Sequence, residues 1–115
     1  MAEIASYKVG VTRSHKPGPS RCLTLKLQAP EQGVKVVNLF FYDKEAPSFG
    51  FLNKETASLV VNLTTTDFAP MYDILQTEKP VFAHFRIEGS EARLLSLDLS
   101  TSEEPLGEGP VDTSP

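Results

Sequence analysis

With 115 residues, 40% of them hydrophobic and seven of them Phe, the chain can build one domain around one core but not two. No run approaches the ~18 to 20 apolar residues of a membrane-crossing helix, so the sequence predicts no span. A net charge of −4 at pH 7 lacks the basic footprint with which proteins wrap duplex nucleic acid.

The pattern opens with a strand over about residues 4 to 13, in which Tyr7, Val9 and Val11 alternate with Ser6, Lys8, Gly10 and Thr12. SHKPGPS follows, and Pro17, Gly18 and Pro19 break any ladder there, which makes the segment a loop. In the second strand Leu23, Leu25 and Leu27 point one way and Cys22, Thr24, Lys26 and Gln28 the other, the signature of a half-buried strand. APEQG then turns the chain.

VKVVNLFFY is apolar on both faces, with Val37, Leu39 and Phe41 on one and Val34, Val36, Phe40 and Tyr42 on the other. Such a strand belongs at the centre of a sheet or at an interface. Residues 43 to 56 read as a connection, although Phe49 and Phe51 make it too apolar for a free loop, so it is expected to fold back over the body. Ala57, Leu59, Val61 and Leu63 then alternate with Ser58, Val60, Asn62 and Thr64 as a fourth strand.

From TTTDFAPMYDILQTEKP the hydrophobic period changes from two to about 3.6. Asp67 is placed to cap a short helix with its carboxylate, and Pro70 falls in the first turn, where it costs no hydrogen bond. Phe68, Met71, Tyr72 and Leu75 form its apolar side, and Lys79-Pro80 ends it. At two to three turns it must dock on the sheet to persist.

VFAHFRIEG is a strand with Val81, Ala83, Phe85 and Ile87 on one side and Phe82, His84, Arg86 and Glu88 on the other. Hydrophobic register in the last hairpin predicts Phe85 opposite Leu95, Ala83 opposite Leu97 and Val81 opposite Leu99, with a Gly-Ser-Glu loop or a bulge. From residue 100 onward the composition is acidic and proline-rich and reads as a flexible tail, leaving residues 1 to 99 as the domain. The expected fold is mainly β with one short helix. It comprises about six mostly antiparallel strands in an OB-like barrel or a curved sheet, with the helix between strands four and five.

Charge is unevenly spread. Residues 1 to 36 hold six Lys or Arg against two acids, residues 37 to 99 five against nine, and residues 100 to 115 none against four. The body is therefore neutral but polarised. The opening MAEIASYKVG has neither a basic n-region nor an apolar h-region, and Cys22 is the sole cysteine, so the expected setting is reducing and cytoplasmic. Asn62-Leu63-Thr64 matches a glycosylation sequon and reads as a chance match in that setting.

Chemistry is sparse. His15 and His84 are the only histidines, and no HExxH, nucleophile elbow or glycine-rich phosphate loop is present, so no catalytic residues, metal site or cofactor are assigned. Asp73 with Glu78, and Asp43 with Glu45, read as solvated charges rather than acid/base pairs. Arg13, His15, Lys16 and Arg21 surround the PGP turn, where they can grip phosphates, an acidic peptide or the acidic tail. Basic residues are also ordinary in a polar hairpin loop.

Phe82, His84 and Arg86 share the outer side of their strand, and Phe40 and Tyr42 join them if the two strands share a sheet. That face suits self-association, or base stacking beside phosphate contacts. The ordinary alternative is that other parts of the body cover the rings. The leading expectation is a non-enzymatic interaction module that forms a homodimer or small homo-oligomer through a sheet face, with no membrane partner. Single-stranded nucleic acid binding is the alternative, followed by a small-ligand pocket between sheet and helix.

Overall fold

The computed structural model describes residues 2–101 as seven strands and one short helix. The strands are β1 (Ala2–Val11), β2 (Arg21–Glu31), β3 (Val34–Tyr42), β4 (Gly50–Asn53), β5 (Ser58–Thr64), β6 (Phe82–Glu88) and β7 (Arg93–Ser100). A single 3₁₀ turn, Thr65–Asp67, leads into the helix α1 (Phe68–Thr77). The sheet closes into a barrel in the order β1-β2-β3-β5-β4-β7-β6, and β6 returns to β1 through Ala2↔Ala83 and Glu3↔Phe82. Closure rests on short ladders, since β4 meets β7 in register only at Phe51↔Arg93 and β1 meets β6 only at Ala2 and Glu3. Of the two architectures that the pattern allows, the barrel is the one formed.

Alternation along the strands dictates which residues fill it. Leu23, Leu25, Val37, Leu39, Phe41, Leu59 and Val61 are fully buried inside, and Ala83, Phe85, Leu94 and Leu99 complete the core from the other side. β2 and β3 are joined by Gln32 and Gly33, both with positive φ, as in the two-residue turn whose twist matches paired strands.

The strand count differs from the expectation because part of the 43–56 connection is itself a strand. β4 pairs antiparallel with β5 through Gly50↔Val61 to Asn53↔Ser58, so the helix follows the fifth strand rather than the fourth. Four residues with Gly50 at their head are too short to show an alternating period. β5 inserts between β3 and β4 and runs parallel to β3, with Val36↔Ser58 through Tyr42↔Thr64 in register. Residues 43–49 must therefore cross two strand spacings, roughly 10 Å, over the end of β5.

β1 begins at Ala2 and stops at Val11, two residues earlier at each end than its pattern suggests. The last hairpin also differs. Phe85 faces Leu97 and Ala83 faces Leu99, while Glu88 faces Arg93 across a four-residue loop in which Ala92 N–H donates to the Gly89 carbonyl at 3.0 Å. Leu95 is the extra residue of a bulge between Arg86↔Ser96 and Ile87↔Leu94, which leaves it exposed. This register places Glu88 opposite a cation, a pairing that opposite charges across strands favour. The inner and outer faces of β6 are nevertheless those expected.

α1 docks on the barrel through buried Leu75, with Phe68, Met71, Tyr72 and Ile74 packed against the core. Asp67 occupies the cap position but makes no side-chain cap hydrogen bond; it lies in the 3₁₀ turn with helical backbone angles, so its carboxylate is not aimed at the first-turn amides. The barrel's last strand includes Ser100, one residue past the expected domain end, and the acidic tail from residue 102 lies outside the described residues. No helix of the described residues is long and apolar enough to cross a membrane.

Candidate functional site

Three chain segments converge at one end of the barrel because the end of β1, the start of β2 and the ends of β3 and β5 meet there. Ser20 N–H donates to the Phe41 carbonyl at 2.9 Å and Thr12 N–H to the Ser20 carbonyl at 2.8 Å, which sets the 12–20 loop beside the end of β3. The 43–49 crossing leaves from that same end, and α1 starts just after Thr64, the partner of Tyr42. Between the first two segments lies an open cleft of about 1420 Å³. All four residues of the expected basic loop, Arg13, His15, Lys16 and Arg21, line it. Lys44, Asp43 and Glu45 line it from the other wall, and Asp43 accepts a hydrogen bond from Ser20 Oγ at 2.9 Å.

The aromatic face expected from Phe82, His84, Arg86, Phe40 and Tyr42 is not assembled as one surface. β3 and β6 share the sheet but are separated by β2 and β1 on one side and by β5, β4 and β7 on the other. Phe82 and His84 are also only 8% and 6% exposed, so the outer side of β6 is covered at those residues while Arg86 remains exposed. The His84 ring lies 6.5 Å from that of Phe82, and its Nε2 is within hydrogen-bond distance of Ser100 Oγ at 3.2 Å. These contacts tie His84 to Phe82 beside it and to Ser100 on β7.

Phe40 and Tyr42 do belong to an uncharged outer surface, which β4 completes. Phe40 faces Asn62 on β5, whose N–H donates to the Phe49 carbonyl at 2.7 Å; one strand row therefore reads Cys22, Phe40, Asn62, Phe49. The next row reads Thr24, Asn38, Val60, Phe51, Arg93. Phe49 is 38% exposed and Phe51 42%, both large for rings on a folded domain. Between Thr24 and Phe51 these two rows carry no charged side chain.

Asn62 pins this face. Its Nδ2 donates to the Ser48 carbonyl at 2.8 Å and its Oδ1 accepts from Tyr42 Oη at 3.4 Å, which ties the 43–49 crossing to β3 and β5. The amide of the sequon is thus already used within the fold. Phe49 and Phe51 are absent from the site residues assigned by sequence. The signal available was their apolar character inside an apparent connection, too brief in a four-residue strand to read as a period.

A second, smaller hollow adjoins the cleft, lined by Arg21, Phe68, Pro70, Tyr72, Asp73 and Gln76 among others. Phe68 and Tyr72 are stacked, with centroids 5.3 Å apart and planes 26° apart, and Arg21 Cζ lies 5.0 Å from the Phe68 centroid. Among the described residues no group of three or more His, Cys, Asp or Glu side chains is arranged to hold a metal ion. Asp43, Glu45, Asp73 and Glu78 are all exposed. Comparison with protein-family models, with curated proteins and with solved structures returned no match.

Proposed function

We propose that the protein is a non-enzymatic interaction module that self-associates through the outer face of β3, β5 and β4. The observation that carries this reading is the uncharged aromatic patch of Phe40, Phe49 and Phe51 around Val60. Interface centres are depleted in charge and enriched in Phe and Tyr. A second copy is the fitting partner, because a two-fold interface sets the same patch against itself and an uncharged patch does so without repulsion. Lys26 and Arg93 lie at the margins of the patch, where charges stay hydrated. Cys22, a free thiol on this same outer face, suits a reducing cytoplasmic setting.

Phe51→Asp tests the reading. Phe51 is exposed in the single chain, so the substitution leaves the barrel folded, while in an assembly it sets a carboxylate against apolar rings at a cost of several kcal/mol. The expected result is an unchanged far-ultraviolet spectrum with a shift from dimer to monomer on sizing. An assembly that tolerates Phe51→Asp contradicts the assignment of this face.

A further inference from the structure

We infer that the end of the barrel is a second binding site, for a single-stranded nucleic acid, separate from the self-association face. Two features meet at Arg21: the cleft between the 12–20 loop and the 43–49 crossing, and the hollow beside the stacked rings of α1. In the cleft, Arg13, Lys16, Arg21 and Lys44 stand against Asp43 and Glu45, and Asp43 is already engaged by Ser20. The cleft therefore carries a cationic excess in a body whose residues 1 to 99 are neutral as a whole, eleven Lys and Arg against eleven acids. It is an open cleft rather than an enclosed pocket, a form that suits a segment of polymer.

The neighbouring hollow narrows the polymer to one with bases. A polyanionic peptide needs cations alone, whereas here the cleft adjoins a hollow of about 520 Å³ lined by Phe68 and Tyr72, which already stack on each other with Arg21 over Phe68, so that a base entering the hollow would extend that stack or displace Arg21 from it. Aromatic faces beside a basic track are how single strands are held without reading sequence, bases on rings and phosphates on Lys and Arg. Gln76 and Asp73 on the rim offer an amide and a carboxylate to the edges of a base lodged there. Phosphates then follow Arg21 into the cleft toward Lys16 and Arg13. The 12–20 loop is exposed through residue 18, so its cations are hydrated and exchange that hydration for phosphate at small cost.

The test is fluorescence anisotropy of the full chain with three labelled probes: a single-stranded oligonucleotide of about twelve nucleotides, an abasic strand of the same length and an oligoglutamate peptide. Wild-type protein is expected to bind the oligonucleotide at low salt, with affinity falling steeply as salt rises. The abasic strand should bind at least tenfold more weakly, since base stacking on the rings is lost. Arg13→Glu with Lys16→Glu, both in an exposed loop and checked for folding by circular dichroism, should lower affinity tenfold or more. No binding at low salt, or binding that the double variant leaves intact, overturns the site. Equal binding of the oligonucleotide, the abasic strand and oligoglutamate overturns the nucleic-acid assignment in favour of an acidic peptide. Phe51→Asp leaves this binding unchanged, which separates the outcome from that of the self-association face.

Discussion

Gly50 carries a constraint out of proportion to its size. It faces Val61 inside the barrel, and a Cβ built there would collide with the Val60 carbonyl oxygen and press on Leu94 and the Val61 backbone. Backbone cannot yield as a side-chain tip does. Gly50→Ala is therefore expected to cost about 2 kcal/mol or more and to lower Tm by roughly 10 °C in a thermal melt; an unchanged Tm would show that β4 is not held this closely. Cys22 offers a second reading at this scale. It is half-buried and faces outward in the row of Phe40 and Phe49, so thiol labelling should slow as protein concentration rises and the face becomes occupied. In Phe51→Asp the labelling rate should not depend on concentration. Neither residue's role was legible in the sequence: a lone Gly at the start of four residues looks like loop, and a lone Cys between leucines shows only which side it takes.

Among the elements, α1 is the one whose docking decides the shape of the site. Phe68 meets Phe41 edge-on at 5.2 Å and Tyr72 meets Tyr7 edge-on at 6.1 Å, so the helix is fixed to β3 and to β1 at once. Its buried anchor is Leu75. Leu75→Ala should cost about 2 to 5 kcal/mol through lost transfer energy and the cavity left behind. A fall in the urea midpoint at constant slope is the expected result, and a change below about 0.5 kcal/mol would mean that the helix lies on the surface. The helix, its apolar side and its end before Pro80 were legible because 3.6 periodicity persists over ten residues. The hairpin register was legible only in parity. Inward and outward sides of β6 follow from period two, but the pairing depends on the Leu95 bulge, and nothing in a run of RLLSLDLS marks which leucine is extra.

At the scale of the molecule, barrel closure explains why the face proposed from sequence divides. Alternation assigns Phe82, His84, Phe40 and Tyr42 correctly to outer sides, yet it is silent on strand order. The order sets β6 far from β3 around the barrel. The parallel insertion of β5 between β3 and β4 is non-local, and it brings Phe49 and Phe51 beside Val60 and Phe40 instead. β6 pairs with both β1 and β7, and Phe82 is nearly buried on it. A charge at that position should accordingly unfold the chain rather than merely dissociate it, unlike a charge at Phe51. The basic cluster around the PGP turn, by contrast, was legible, but that it lines a cleft was not, because the opposite wall is the 43–49 crossing that the fold brings beside it.

The proposed partner of the uncharged aromatic face of β3, β5 and β4 is a second copy of the chain. Light scattering of the wild-type protein over a rising concentration series tests it most directly. The predicted result is a molar mass that climbs to twice the chain mass of 12.6 kDa, or a small multiple of it, and returns to 12.6 kDa on dilution. A mass that stays at 12.6 kDa at every concentration would contradict it.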